Sequence, residues 1–261
     1  MRTIKLGAVD YLNARPLVYG LELKNHLFSL RFDAPSKCAA LLHEGSIDVG
    51  MIPSIEYLRG PEYRIVPSVA IISEGPVASV AIFSRKPLDR VRSIAADTSS
   101  RTSTALAQML CYEVFGIDPE FVPMAPDIST MLGKCDAALL IGDAALFLDH
   151  KPAGLSKIDL GEQWTKLTGL PFVWAFWAGR PGVLTQNAVE ALEAARDEGV
   201  EVTDELADAY CPPDRASSGR RYFRENMRYI LGEREVEGLK HYYELAEEHD
   251  LVPRVRRLEF F

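Results

Sequence analysis

Short apolar runs alternate with helix-forming segments from residue 4 to about residue 148, and this alternation restricts the fold more than any other feature of the chain. Residues 4–9, 30–32 and 47–53 read as strands. Each leads into a helical stretch: residues 10–17 and on to about Leu23, then residues 35–42, then residues 54–58. Pro16 suits a first helical turn, where its missing N–H has no partner to lose, and Gly45 suits a helix end. Three strand–helix units in succession specify a parallel sheet with helices on its faces. Two further strand-like runs, 64–72 and 77–84, are joined by the turn Ser73-Glu74-Gly75-Pro76. The pattern then repeats, with strands at 91–96, 121–122 and 136–141 and helices at 104–115, 128–132 and 144–148. Residues 172–178, FVWAFWA, are too apolar for a surface strand and read as a buried strand crossing back to the first set. Trp174, Phe176 and Trp177 are assigned to the core on that ground. From residue 186 onward the chain reads as mostly helical, over 186–197, about 203–209, 217–231 and 235–248. The expectation is an α/β chain of two lobes with a cleft between them. Residues 1–86 and 174–261 would form a discontinuous first lobe, and residues 87–173 the second.

The densest collection of chemistry lies at the strand-to-helix junction 97–104, DTSSRTST. The first turn of a helix carries N–H donors without partners and a partial positive charge, which suits an anion. Five hydroxyls fall within six residues there: Thr98, Ser99, Ser100, Thr102 and Ser103. A helix cap needs only one. Arg101 adds a guanidinium that can clamp a carboxylate or phosphate. Ligands of open α/β sheets bind outside the carboxyl ends of strands, so other residues at such ends are candidates as well. They are Asn13, Ser54, Ser84, Gly142, whose backbone can approach a ligand closely, and Asp143, which can accept from a hydroxyl. Three of them also have a plain reading: a helix cap for Asn13 and for Asp143, a solvated strand end for Ser84.

Composition narrows the partners. The 261 residues are 48% hydrophobic, ordinary for a globular chain. A formal net charge of -8 argues against nucleic acid, and the basic run 254–257 is too short to reverse it and reads as a solvated tail. Cysteines 38, 111, 135 and 211 have no close pairs, which argues against zinc ribbons and CxxC redox motifs; Cys38 and Cys111 read as buried thiols. No metal cluster and no cofactor motif is found among the candidates. The start, MRTIKLGAV, reads as a strand and not as a signal peptide. No apolar run approaches the ~20 residues that span a bilayer. A cytoplasmic chain without a membrane partner is expected.

Five blocks in order, YLNARPL (11–17), DVGMIPSIEY (48–57), DTSSRTS (97–103), LLIGDAAL (139–146) and DLGEQWTKLTGLPFVWAFWA (159–178), carry a resemblance. The chain resembles the chorismate dehydratase family of menaquinone biosynthesis by the futalosine pathway, over about residues 4–180. The resemblance implies a two-lobed, type II periplasmic-binding-protein-like fold used for a cytoplasmic enzyme without a cofactor. Its reaction removes water from chorismate, a dicarboxylate, to give 3-[(1-carboxyvinyl)oxy]benzoate. It further implies that Asn13 is catalytic, orienting the enolpyruvyl end or the leaving hydroxyl. Residues Ser99, Ser100, Arg101, Thr102 and Ser103 would bind a carboxylate, with Arg101 either pairing with it or buttressing the loop. Ser54, Ser84, Gly142 and Asp143 would complete the wall. One mechanism for the family has the substrate's own enolpyruvyl carboxylate take the proton. Two other readings share the fold: a small-anion receptor without chemistry, and the sister cyclase acting on a dehypoxanthine futalosine. The cyclase is expected to use a catalytic histidine, whereas the five histidines of this chain lie outside the blocks.

Overall fold

In a computed structural model, which describes residues 3–261, the strand–helix units build two five-stranded sheets. Met1 and Arg2, at the start of the expected first strand, lie outside the described residues. In the first sheet β1 (Ile4–Val9) lies between β2 (Phe28–Asp33) and β3 (Val49–Pro53), all parallel. Helix α1 (Pro35–Glu44) and the short α2 (Glu56–Arg59) follow β2 and β3, and β4 (Arg64–Ser73) forms the far edge. Every residue of β3 is buried, which is why it reads as an unbroken apolar run.

The second sheet takes β5 (Val80–Ser84), β6 (Ser93–Asp97), β7 (Glu120–Met124), β8 (Ala137–Ile141) and β9 (Ser156–Asp159), in the order β7-β6-β8-β5-β9. Helices α3 (Thr102–Glu113), α4 (Ile128–Lys134), α5 (Gly142–Leu146) and α6 (Leu160–Thr168) connect and cover it. β10 (Phe172–Gly179) then returns to the first sheet, antiparallel to both β3 and β4, with all eight residues buried. The lobe boundary expected after residue 86 is corrected: β5 pairs with β8 and β9, so the first crossing runs through residues 74–79. The run 77–84 is broken at Ala78, whose φ of 62 turns the chain and leaves only 80–84 as strand. The return crossing falls at 169–171, just ahead of β10.

The remaining chain packs onto the first lobe as α7 (Gln186–Glu201), α8 (Thr203–Tyr210), α9 (Ala216–Asn226) and α10 (Glu233–Glu248). α9 ends earlier than the expected 231. Met227, Tyr229 and Leu231 are buried while Arg228 and Ile230 are exposed, a period of two that belongs to extended chain. Arg228 and Ile72 exchange backbone bonds of 2.9 Å in both directions. The basic run 254–257 is likewise not a free tail. The Arg256 guanidinium lies 5.1 Å from the centre of the Tyr57 ring, and Ile65 N–H donates to Glu259 O at 2.8 Å, part of an isolated parallel bridge between Ile65 and Phe260.

α10 ties the lobes together. Its Tyr243 hydroxyl donates to the Ser54 carbonyl of the first lobe, and its Tyr242 hydroxyl donates to the Thr102 carbonyl of the second at 3.1 Å. Both rings are almost wholly buried, and burying a large side chain of this kind contributes about 2–3 kcal/mol. All four cysteines are free and buried, and burial pushes the Cys38 and Cys111 thiols up to about 12. No helix among the described residues is long and apolar enough to cross a membrane.

Candidate active site

The carboxyl ends of β1, β3, β6 and β8 converge where the lobes meet, and a small cavity opens there. Its walls are mostly apolar, from residues such as Val9, Pro53, Ile71, Val80, Ile141 and Trp174. Against them stand Tyr11, Asn13, Ser79, Ser100, Arg101, Thr102 and Ser103, with Gly142 beside them. Among the described residues, the polar groups of the side chains lining the cavity are hydroxyls, one amide, one guanidinium and the indole N–H of Trp174. No group of three or more His, Cys, Asp or Glu side chains among the described residues could hold a metal ion.

Asn13 is the second residue of a 3-10 turn, Leu12–Val18, and caps nothing: Tyr11 occupies the N-cap position. Its carbonyl accepts from the Tyr229 hydroxyl at 3.0 Å, which anchors the turn from the far end of the chain. Its side chain adjoins the Tyr222 hydroxyl, which shares a 2.7 Å bond with Ser79 Oγ. Asn13 Oδ1 itself is buried and has no hydrogen-bond partner. Leaving a buried acceptor unpaired costs about 1–3 kcal/mol, so an atom of this kind in a residue that lines a cavity can be satisfied by a ligand or by an internal water.

The junction 97–104 divides its hydroxyls among several tasks. Asp97, at the end of β6, accepts from Ser99 N–H at 2.9 Å and from Ser99 Oγ–H at 2.6 Å. Burial pushes the Asp97 carboxyl above its usual range, against the pull of those bonds. Ser99 also accepts from the Tyr11 hydroxyl at 3.2 Å and is not a lining residue. Thr102 Oγ1 accepts from Ile55 N–H at 3.2 Å and shares a 3.3 Å bond with Ser54 Oγ, so these two hydroxyls join the lobes. Ser100 Oγ is buried without a partner and lines the cavity. α3 begins at Thr102, two residues ahead of the expected Thr104, and none of the five hydroxyls caps it. Its first turn therefore presents uncapped N–H groups beside the cavity.

Arg101 is 44% exposed at the cavity edge, its Nη1 3.8 Å from Glu56 Oε1. Glu56 is buried and also holds His43 Nε2 at 2.9 Å and Arg59 Nη1 at 3.1 Å. Burial pushes its carboxyl up, but the His43 bond and the Arg101 and Arg59 charges outweigh that and hold it below the usual range. Arg101 thus reaches the cavity with a counter-ion in the opposite lobe.

Three other candidates are corrected. Ser54 is wholly buried in the contact with Thr102 and is not a lining residue. Ser84 sits at the opposite end of β5, where its Oγ donates to Lys86 O at 2.9 Å. Strand β5 is antiparallel to β8, so Val80 and not Ser84 pairs with Ile141 at the cleft. Asp143 faces across the lobes instead of into the cavity: it accepts from Leu12 N–H at 3.2 Å and from the Tyr210 hydroxyl, and burial pushes its carboxyl up. Trp174, assigned to the core, lines the cavity and donates from Nε1 to Ser73 Oγ at 3.0 Å. Tyr11, Ser79, Glu56 and Tyr222 were not singled out from the sequence. Tyr11 alone had a signal, its place next to Leu12-Asn13 at the end of β1.

Gly142 has a φ of 60, and a Cβ on it would stand 2.9 Å from the Tyr11 ring. Gly142→Ala is expected to lose about 1–2 kcal/mol through the left-handed backbone. By displacing Tyr11 from Ser99 it should also lower kcat/KM by about tenfold. Thermal unfolding and steady-state kinetics check both, and a variant matching the parent in each would show that the Tyr11 ring has room to spare.

Comparison with known proteins agrees with this architecture. An Archaeoglobus fulgidus protein of known structure superposes with a TM-score of 0.79 at 19% identity, covering 96% of this chain and 98% of that one. A Candida albicans protein described as having the generic periplasmic binding protein fold superposes at 0.68 with 12% identity, covering 98% and 92%. The fold is therefore the two-lobed one of periplasmic binding proteins. The chorismate dehydratase of Thermus thermophilus is 30% identical over 270 residues, covering 94% of this chain and 95% of that enzyme. The family model described as menaquinone biosynthesis matches residues 4–248, and the chain belongs to that family.

Proposed function

We propose that the chain is a chorismate dehydratase, a hydro-lyase that removes the C3 proton and the C4 hydroxyl of chorismate. The products are 3-[(1-carboxyvinyl)oxy]benzoate and water. The reaction makes the ring aromatic, so the substrate supplies the drive, and the protein has chiefly to orient it and steady the leaving group. Family membership and the 30% identity to the Thermus thermophilus enzyme support the reading. The observation that carries it to particular residues is that two residues lining the cavity, Asn13 in one lobe and Ser100 in the other, each hold a buried polar atom without a partner, Oδ1 and Oγ.

The two atoms ask for different groups. An amide oxygen is an acceptor and repels a carboxylate, so Asn13 Oδ1 accepts a hydrogen bond from the C4 hydroxyl and orients it; that oxygen keeps its own proton and leaves as water when the proton taken from C3 is passed to it. A serine hydroxyl can donate, so Ser100, with the N–H groups at the start of α3, holds a substrate carboxylate. Arg101 adds positive charge at the same edge while paired with Glu56. Thr102 and Ser103 shape the wall between them, and Gly142 leaves room for Tyr11. The polar lining offers no carboxylate and no imidazole, which supports the substrate's enolpyruvyl carboxylate as the proton acceptor. Apolar walls around it keep water from competing for these bonds. The cytoplasmic setting expected from the sequence is part of the same proposal.

Purified protein incubated with chorismate tests the assignment. The expected result is loss of chorismate matched by one equivalent of the enolpyruvyl benzoate, identified by its aromatic proton signals. Unchanged chorismate after many equivalents of enzyme time would refute it.

A further inference from the structure

The block DLGEQWTKLTG, residues 159–169, has no part in the chemistry above, yet it touches the chain at both crossings between the lobes. At the return crossing, Trp164 Nε1 donates to Pro171 O at 3.2 Å. At the first crossing the contacts are denser. Thr165 Oγ1 accepts from Gly75 N–H at 2.9 Å. Asp159 Oδ1 accepts from Val77 N–H at 2.9 Å and from Glu162 N–H at 3.1 Å, while its Oδ2 accepts from Ala78 N–H at 2.6 Å. Lys157 Nζ donates to the carbonyl of the same Ala78. Both faces of one peptide turn are therefore gripped by the end of β9. Ala78 has a φ of 62, a conformation its Cβ disfavours. Immediately after it come Ser79, bonded to Tyr222, and Val80, and both line the cavity.

We propose that Asp159 is a positioning residue for the dehydration: its two carboxylate oxygens impose the left-handed turn at Ala78 and so deliver Ser79 and Val80 to the cavity wall. The kinetic readout of this proposal rests on the dehydratase reading; the turn itself does not. An amide at position 159 offers one acceptor where the turn needs two, and its NH₂ end faces a backbone N–H. Asp159→Asn thus releases the turn with little change in volume. Glycine takes the left-handed conformation freely, so Ala78→Gly removes the strain that the carboxylate opposes.

The test compares the parent, Asp159→Asn, Ala78→Gly and the double variant. Asp159→Asn is expected to lower kcat about tenfold with KM changed by no more than about threefold, because the turn misplaces groups without removing a substrate contact. Ala78→Gly should stay within about twofold of the parent, and the double variant should regain about half or more of the lost kcat. A purely structural Asp159 would lower the melting temperature without this rescue. Parental kcat in Asp159→Asn, or no recovery in the double variant, overturns the proposal. Amide exchange of the peptide spanning residues 74–80 gives a readout free of chorismate: it should quicken about tenfold in Asp159→Asn while β1 stays unchanged, and unchanged exchange overturns the proposal. A parent enzyme inactive on chorismate would refute the dehydratase reading, with exchange then deciding the clamp. If Asp159→Asn shows no cooperative melting, Lys157→Met, which releases the Ala78 carbonyl, takes its place under the same criteria.

Discussion

Alanine at position 13 will lower kcat for chorismate by about 10²- to 10³-fold and leave the protein at least as stable as the parent. The two halves of this expectation have one cause. Asn13 Oδ1 is buried with no partner, an arrangement that costs the folded state about 1–3 kcal/mol and that, in the proposed reading, the substrate hydroxyl satisfies. Removing the amide removes the penalty. The backbone carbonyl that anchors the 3-10 turn to Tyr229 is untouched by the substitution. Asn13→Asp separates orientation from charge: it keeps an acceptor but sets a negative group against a dicarboxylate, so KM should rise along with the fall in kcat. Steady-state kinetics and thermal unfolding on the same preparations check the set. A variant that is fully active, or one that is inactive because it melts several degrees lower, would remove Asn13 from the chemistry.

How far the sequence could be read depends on which interactions specify each element. β1, β3, β6 and β8 are parallel strands buried within a sheet, so their apolar runs stand out locally, and their carboxyl ends mark the cavity in advance. The same strand-end rule misplaces Ser84, because β5 runs the other way: its amino end faces the cleft. For that reason Ser79 and Val80 line the cavity while nothing in the run 77–84 announces them. Ser54 does end a parallel strand, but its hydroxyl is taken by Thr102 from the other lobe, a partner no local pattern names. The extended segment after α9 carried an alternation of buried and exposed residues, yet its bridge to Ile72 joins positions far apart in the chain. Hydroxyl density at 97–104 was legible as chemistry; the division of labour among those hydroxyls was not. Ser99 serves Asp97, Thr102 serves the interlobe contact, and only Ser100 is both buried and unpartnered.

Gly199→Ala is expected to destabilise the protein by about 3 kcal/mol, the upper end of the overpacking range, and to lower activity as well. Gly199 lies on α7 where that helix crosses the 3-10 turn, and a Cβ there would stand 2.2 Å from Pro16 O and 2.6 Å from Pro16 Cα. Those are backbone atoms, so no side chain can rotate aside. The ring of Pro16 fixes its φ, and the turn can yield only by moving as a body away from α7. Asn13 rides on the same turn, three residues earlier, so the shift that relieves the clash carries its amide off the cavity wall. A melting temperature lower by about 6–12 °C should therefore come with a kcat lower by about tenfold in the molecules that remain folded. Gly133→Ala is the control: it lies inside α4 with open space around it, and replacing a helical glycine there should stabilise by about 0.5–1 kcal/mol with unchanged kinetics. The contrast isolates close backbone approach from the general effect of adding a methyl group to a helix. If both variants melt like the parent, α7 has slack against the turn, and the rigid support argued for Asn13 is absent.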